Sequence, residues 1–127
     1  LLYLAEHQGE ERAIFSSEIA TKERIPQKFL ETILRELRNF QFLQSQRGKT
    51  GGYRLIKQPK EINLAELMRL MDGPIAMLPC VSLNYYATCA ECDEEHCQIK
   101  PVFEKIRNQT LEVLNNTTVE SMLKVLL

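Results

Sequence analysis

The chain has 127 residues, 44% of them hydrophobic and 26% charged, with a net charge of −1, the composition of one ordinary globular domain with room for a small appendage. No apolar run approaches the roughly 18 residues of a membrane-crossing helix, and no signal-peptide layout is present, so a membrane or secreted protein is set aside and a cytoplasmic one expected. Cys80, Cys89, Cys92 and Cys97 crowd one short stretch, which speaks against a disulfide scaffold and for a metal or redox site in a reducing compartment.

The chain opens on Leu1-Leu2-Tyr3-Leu4-Ala5 without a Met. That is the pattern of a helix interior, so a preceding segment is expected. This first helix runs to about Gln8 and stops near Gly9. Ser16 or Ser17 can cap the next helix, which runs to about Lys22, with Glu18 at its positive end. Glu23-Arg24-Ile25 is a turn, and Pro26 suits the first position of a new helix reaching Phe40. Phe29, Leu30, Ile33, Leu34, Leu37 and Phe40 recur at helical spacing and are assigned to the core. Gln27, Lys28, Glu31, Thr32, Arg35 and Arg38 lie on the other face. A short helix, a tight turn and a basic second helix form a helix-turn-helix pattern.

Residues 42–46 and 53–56 read as short strands around the Gly-rich turn Arg47-Gly48-Lys49-Thr50-Gly51-Gly52, a hairpin placed as a wing. A helix from about Asn63 to Met71 carries Leu64, Leu67, Met68 and Met71 on one face and ends at Asp72-Gly73-Pro74. Residues 75–96 lack periodicity. From Ile99 a helix returns, with Ile99, Val102, Phe103, Ile106, Val113 and Leu114 close to a heptad seam. Asn115-Asn116 break it. Thr117 or Thr118 can cap a last helix bearing Val119, Met122, Leu123 and Leu126.

The expected fold is mainly α with a small β-hairpin wing, a winged helix-turn-helix with a long dimerisation helix. Four segments follow: a DNA-binding domain at 1–58, a connecting helix at 59–74, a cysteine-rich sensor loop at 75–98, and the dimerisation helix with a short terminal helix at 99–127. Residues 24–60 hold nine basic side chains against two acids, a balance of +7 that leaves −8 for the rest. Such a basic block is the footprint of a polyanion-binding element, or merely an uneven solvated surface. His7 and His96 stand in unrelated contexts and no nucleophile–base pair emerges, so an enzyme is not expected.

Several stretches resemble the Rrf-type bacterial regulators, the family of IscR, NsrR and CymR. They are Leu4-Ala5, Ile25-Pro26-Gln27-Lys28-Phe29-Leu30-Glu31-Thr32-Ile33-Leu34, Arg47-Gly48 with Gly51-Gly52-Tyr53-Arg54-Leu55, Met71-Asp72-Gly73-Pro74-Ile75, the cysteines, and Asn116-Thr117-Thr118. The resemblance implies a homodimeric winged-helix regulator whose DNA affinity answers to an iron–sulfur cluster or another signal. IscR-like members carry a histidine shortly after the third cysteine. Here the residue three beyond Cys97 is Lys100, and a fourth cysteine is present instead.

At a double-stranded, pseudo-palindromic operator the start of the recognition helix lies nearest the base edges. Gln27 can pair with adenine, Lys28 with guanine, and Glu31 can accept from cytosine. Glu31 matches the family's base-contacting glutamate, although it could simply pair with Arg35 one turn on. Arg35 and Arg38 would meet phosphate or stay solvated. Arg47 can reach a narrow minor groove, beside Lys49, while Gly48, Gly51 and Gly52 allow a tight turn near phosphate. Cys80, Cys89, Cys92 and Cys97 form the metal-ligand pool. Their spacing, with one close pair, favours an iron–sulfur cluster (2Fe–2S or 4Fe–4S) over zinc, a thiol–disulfide switch or inert cysteines. Glu91, Asp93, Glu94 and Glu95 read as a solvated loop surface that disfavours a free thiolate, and His96 as solvated rather than ligating. A small metal-cluster carrier without DNA binding is the remaining reading.

Overall fold

The computed structural model describes residues 1–126, the side chain of Leu126 excepted. Leu127, which ends the expected 99–127 segment, and the apolar contact expected of Leu126 therefore lie outside the described residues. In chain order the elements are α1 (Leu2–Glu6), α2 (Ser16–Glu23), α3 (Gln27–Asn39), β1 (Leu43–Gln46), β2 (Gly52–Leu55), α4 (Leu64–Asp72), α5 (Lys100–Asn115) and α6 (Val119–Leu126). Short 3-10 turns stand at Pro59–Glu61, Pro79–Val81 and Glu94–His96. This is the mainly helical, hairpin-bearing fold that the sequence leads one to expect. Two compact units emerge, Leu1–Ile62 together with Thr118 onward, and Asn63–Thr117.

In the first unit α2 packs on α3 and α3 on β1, while α6 packs on α1 and on the turn at Pro59–Glu61. Leu30, Leu34 and Leu37 face inward from α3 and meet a core that includes Phe42, Leu43 and Val119. Each such side chain, fully removed from water, contributes about 1.5–3 kcal/mol before entropy is counted. The buried row repeats at i, i+4 and i+7. Phe29 sits one residue, roughly 100°, off that row and is 62% exposed, and Phe40 is also at the surface. The assignment of Phe29 to the core is thus corrected.

The capping assignment changes as well. Phe15 holds the cap position of α2, and neither Ser16 nor Ser17 caps it through a side chain. Ser16 Oγ instead accepts from Gln27 Nε2 at 2.9 Å. The tight turn between α2 and α3 is made by Arg24 in the left-handed region (φ 55°), with the Ile25 amide donating to Ala20 O. Pro26 stands just before α3 rather than inside it. At the far end Gln41 takes φ 63°, and Phe42 N–H closes back on Leu37 O at 2.9 Å, the left-handed stop that a glycine usually supplies.

β1 and β2 pair antiparallel, Leu43 opposite Leu55 and Gln46 opposite Gly52. A third segment joins them: Ile14 bridges Tyr53 through bonds of 3.0 and 2.8 Å. The bridge explains Gly52, whose φ is 130° and where a Cβ would lie 2.4 Å from the Ile14 backbone. Thr118 and Ser121 exchange bonds of 2.9 and 3.1 Å at the start of α6, which is the expected cap.

Tyr3, Arg12 and Glu18 tie α1 to α2. Tyr3 Oη donates to Glu18 Oε1 at 2.8 Å, and both Arg12 Nη atoms donate to the same carboxylate at 2.7 and 2.9 Å. The Arg12 guanidinium first, and the Tyr3 hydroxyl second, draw the Glu18 carboxyl down from 4.5 to about 2. A carboxylate depressed in this way stabilises the fold above its ordinary pKa and loses the contribution as pH falls through the depressed one. Glu18→Gln is therefore expected to melt below the wild type near neutral pH, by a few degrees at most for a partly exposed network. The gap should close between pH 4.5 and about 2. Thermal melts across that window check the prediction, and a gap independent of pH would refute it.

In the second unit Asn63 caps α4, its side chain accepting from the Glu66 amide at 2.8 Å, and Gly73 ends the helix at φ 95°. Ala65 is the one fully buried residue of α4. Leu64, Leu67, Met68 and Met71 are half-buried. α5 packs on α4 and on the turn at Pro79–Val81, where Arg107 Nη1 donates to Val81 O at 2.6 Å. Among the described residues no helix is long and apolar enough to cross a membrane.

Candidate nucleic-acid interface and metal centre

The second helix of the helix-turn-helix is α3, and its outer surface carries the residues singled out for base contact. Lys28, Thr32, Arg35 and Arg38 are exposed and Glu31 is half-exposed. Gln27 Nε2 donates to Ser16 Oγ and also to Glu31 Oε1 at 2.8 Å. Glu31 is therefore oriented from the N-terminal side by Gln27, not from the C-terminal side by Arg35. Gln27 itself is committed to that positioning. Phe29, missed as a surface residue, adds a large apolar ring at the same end of the helix. Its angle off the Leu30, Leu34 and Leu37 row was the available signal.

In the hairpin turn Arg47 and Lys49 are exposed. Gly48 has φ 101° with open space where a Cβ would stand. Gly51 is buried, and a Cβ there would meet Gln46 O at 2.6 Å and Gly48 O at 2.8 Å. Gly51 and Gly52 thus shape the turn and admit Ile14, while Arg47, Gly48 and Lys49 form the part of the loop open to a partner.

In the second unit the four cysteines are free thiols. Cys92 lies near enough to Cys89 and to Cys97 for both thiols to act on it. The interaction with Cys89 is the leading cause, ahead of desolvation and thiolate repulsion, that pushes the Cys92 thiol up to about 12. Cys97 is shifted the other way, because the backbone amides of Lys100 and Ile99, at the start of α5, donate to its sulfur. Of the loop's carboxylates, Glu94 is paired with Lys100 at 2.8 Å. Cys80 lies in the turn at Pro79–Val81 and shares no hydrogen bond with the other three.

Glu94 is not a solvated surface acid. Its side chain is 17% exposed, and it accepts from the Cys89 amide at 2.8 Å, Tyr86 Oη at 2.7 Å and Lys100 Nζ at 2.8 Å. The Lys100 ammonium first, then the Tyr86 hydroxyl, hold the Glu94 carboxyl at about 2. Glu94 thereby fastens the Cys89 end of the loop to the start of α5. Nothing in spacing distinguished it from Glu91, Asp93 or Glu95, since its partners come from both sides of the loop. His96 is an exposed residue bonded to Asp93 Oδ2 at 2.6 Å.

The donor set suits a thiophilic metal: three thiols grouped about Cys92, with Cys97 shifted below the ordinary thiol pKa. Among the described residues, however, no three His, Cys, Asp or Glu side chains converge on a common point that could hold a metal ion. The residues fit a cluster in the chemistry of their donors.

A helix-turn-helix with a basic second helix and a two-strand wing defines the class of winged helix-turn-helix transcription regulators. The family model of Rrf2, described as an iron-dependent transcriptional regulator, matches residues 1–125. The chain belongs to the Rrf2 family, a family of regulators and not of enzymes. It is 42% identical over 113 residues to an rrf2-like HTH-type regulator of Rhodobacter capsulatus, across 88% of this chain and 75% of that protein. It is 30% identical over 122 residues to CymR of Bacillus subtilis, across 96% and 80%. Among solved structures it is similar to CymR, the global cysteine regulator of B. subtilis (TM-score 0.78, 26% identity, 98% of this chain and 87% of that one). It is also similar to IscR of T. potens (TM-score 0.77, 26% identity, 99% and 79%).

Proposed function

We propose that the chain acts as a homodimeric repressor on a pseudo-palindromic operator, with operator affinity set by an iron–sulfur cluster held by Cys89, Cys92 and Cys97. The observation that carries this reading is the grouping of Cys89 and Cys97 about Cys92 in a member of a family described as iron-dependent. A bound cluster would supply a charge and redox state that change with iron supply or oxidation. Cys89, Cys92 and Cys97 would hold it, Glu94 and Lys100 would fix the loop around it, and Cys80 is the remaining sulfur of the pool. An Asn or Gln side chain could not replace these thiolates, which bind iron and zinc alike. Zinc, or a disulfide involving Cys97, is the reading that follows if no iron binds.

On the DNA side, Lys28 and Glu31 would read base edges, with Gln27 holding Glu31 in place, and Arg35 would meet phosphate. Phe29 would lie against a thymine methyl, an apolar contact that the major groove offers at A·T pairs. Arg47 with Gly48 and Lys49 would enter the minor groove, and Gly51 and Gly52 would keep the loop in shape. Mobility-shift titrations of variants against a selected operator test this. Arg47→Ala should weaken binding by about tenfold or more, most on sites with a narrow minor groove. Glu31→Ala should chiefly change base preference, by about 1–3 kcal/mol at one position. Unchanged affinity and preference in both variants would remove the interface from α3 and the hairpin. Titrating the same operator with reconstituted and chelator-treated protein tests the cluster's control, which equal affinity would refute.

A further inference from the structure

Arg54, on β2, is the cation that neither the hairpin nor the proposed DNA contacts use. Among the described residues it makes no hydrogen bond or ion pair, and its Nε is closed off from solvent without a partner. A buried donor left in that state destabilises the fold. Arg54 lines a cavity of about 240 Å³ whose wall also includes His7, Gln8, Glu10, Arg12 and Gln44. A second cavity, of about 260 Å³, shares Gln44 and Arg54. Arg12 is already neutralised by Glu10 and Glu18, so Arg54 is the lining cation left without a carboxylate.

We infer that this cavity is a binding site for a small carboxylate anion, engaged by the Arg54 guanidinium. A guanidinium presents paired N–H donors at the spacing of the two carboxylate oxygens. An acceptor within reach of the guanidinium would offer a partner to a side chain whose Nε has none. The volume suits an acid of a few carbons rather than a nucleotide, and the enclosed Nε favours a free small molecule over a phosphodiester on a DNA backbone. The wall draws on both α1 with the residues after it and the hairpin, so an occupant would bridge the first helix to the wing. The site stands whether or not the DNA contacts proposed above are correct.

The test is titration of the full chain, without DNA, with sodium succinate at ionic strength held constant by sodium chloride, followed by amide NMR shifts and thermal melts. The expected result is saturable shifts at His7, Gln44 and Arg54 with a rising melting midpoint. Arg54→Gln should abolish both. Arg54→Lys, which keeps the charge but loses the fork, should bind about tenfold or more weakly, the loss expected for one charge-assisted hydrogen bond. Inorganic phosphate is the second arm and should give a smaller effect. Non-saturating shifts, shifts elsewhere in the wild type, or an undiminished response in either variant would overturn the site. An equal response to phosphate would overturn the carboxylate assignment. The wild-type shift map decides the question even if Arg54→Gln does not fold.

Discussion

Ile106→Lys is expected to turn a dimer into a monomer. α5 runs for sixteen residues without one that is buried. Its Arg107 is turned inward to Val81, and Phe103, Leu111 and Leu114 are half-buried. On the remaining face Ile99, Val102, Ile106 and Val113 are exposed at offsets of 0, 3, 7 and 14, the spacing of one helical stripe. The heptad seam read from the sequence is thereby divided: Phe103 and Leu114 are half-buried in the unit itself, and the other four are the exposed stripe on which the proposed dimer would form. A two-fold interface would bring the same stripe from both protomers together, so each substitution places two ammonium groups in one apolar contact. An uncompensated buried charge costs roughly 3–5 kcal/mol, which is two to four orders of magnitude in the dimer constant. Sedimentation velocity at micromolar concentration reads the result, with Ile106→Leu as the control that should stay dimeric. A monomeric wild type at that concentration would contradict the dimer.

The elements that the sequence announces are those whose signal is local. The stripe of α3, the Gly-rich turn, Asn63 before α4 and the Asn115-Asn116 break each depend on residues within one or two turns, and all stand where periodicity and turn chemistry put them. The misplacements arise where a distant segment decides. Ser16 was a good cap by type, but Gln27, eleven residues on, takes its hydroxyl. Gly52 read as flexibility for a partner, yet Ile14 claims the space where its side chain would be. Phe29 was drawn into the core by hydrophobicity alone, although its angle off the Leu30, Leu34 and Leu37 row already set it outside. The cysteine spacing pointed to a shared site; Cys92 interacts with Cys89 and with Cys97, but among the described residues no three ligating side chains converge. That Glu94 rather than its acidic neighbours organises them depends on Tyr86 and Lys100, which no pattern pairs with it.

The other large effect is expected at Cys92. It is the thiol on which both Cys89 and Cys97 act, so Cys92→Ser removes their shared neighbour and not merely one member. Anaerobically reconstituted wild type should show iron and visible absorption, and Cys92→Ser should show neither, since loss of a direct ligand exceeds the 10–100-fold that even an outer partner typically costs. Cys89→Ser and Cys97→Ser should follow it. Cys80→Ser should retain more colour, because Cys80 makes no bond to the other three and sits in a turn packed on α5. A total loss there would make Cys80 the fourth ligand. The dimer should survive in all four variants, for the stripe on α5 is a different part of the unit. Operator affinity should change with the colour, because a bound group shifts a conformational equilibrium only if it contacts the two states differently. Colourless, iron-free wild type after reconstitution would end the cluster reading. A tetrathiolate zinc site would then be separated from a disulfide switch by metal content and free-thiol titration, since zinc protects the thiols as bound ligands while oxidation removes them in pairs.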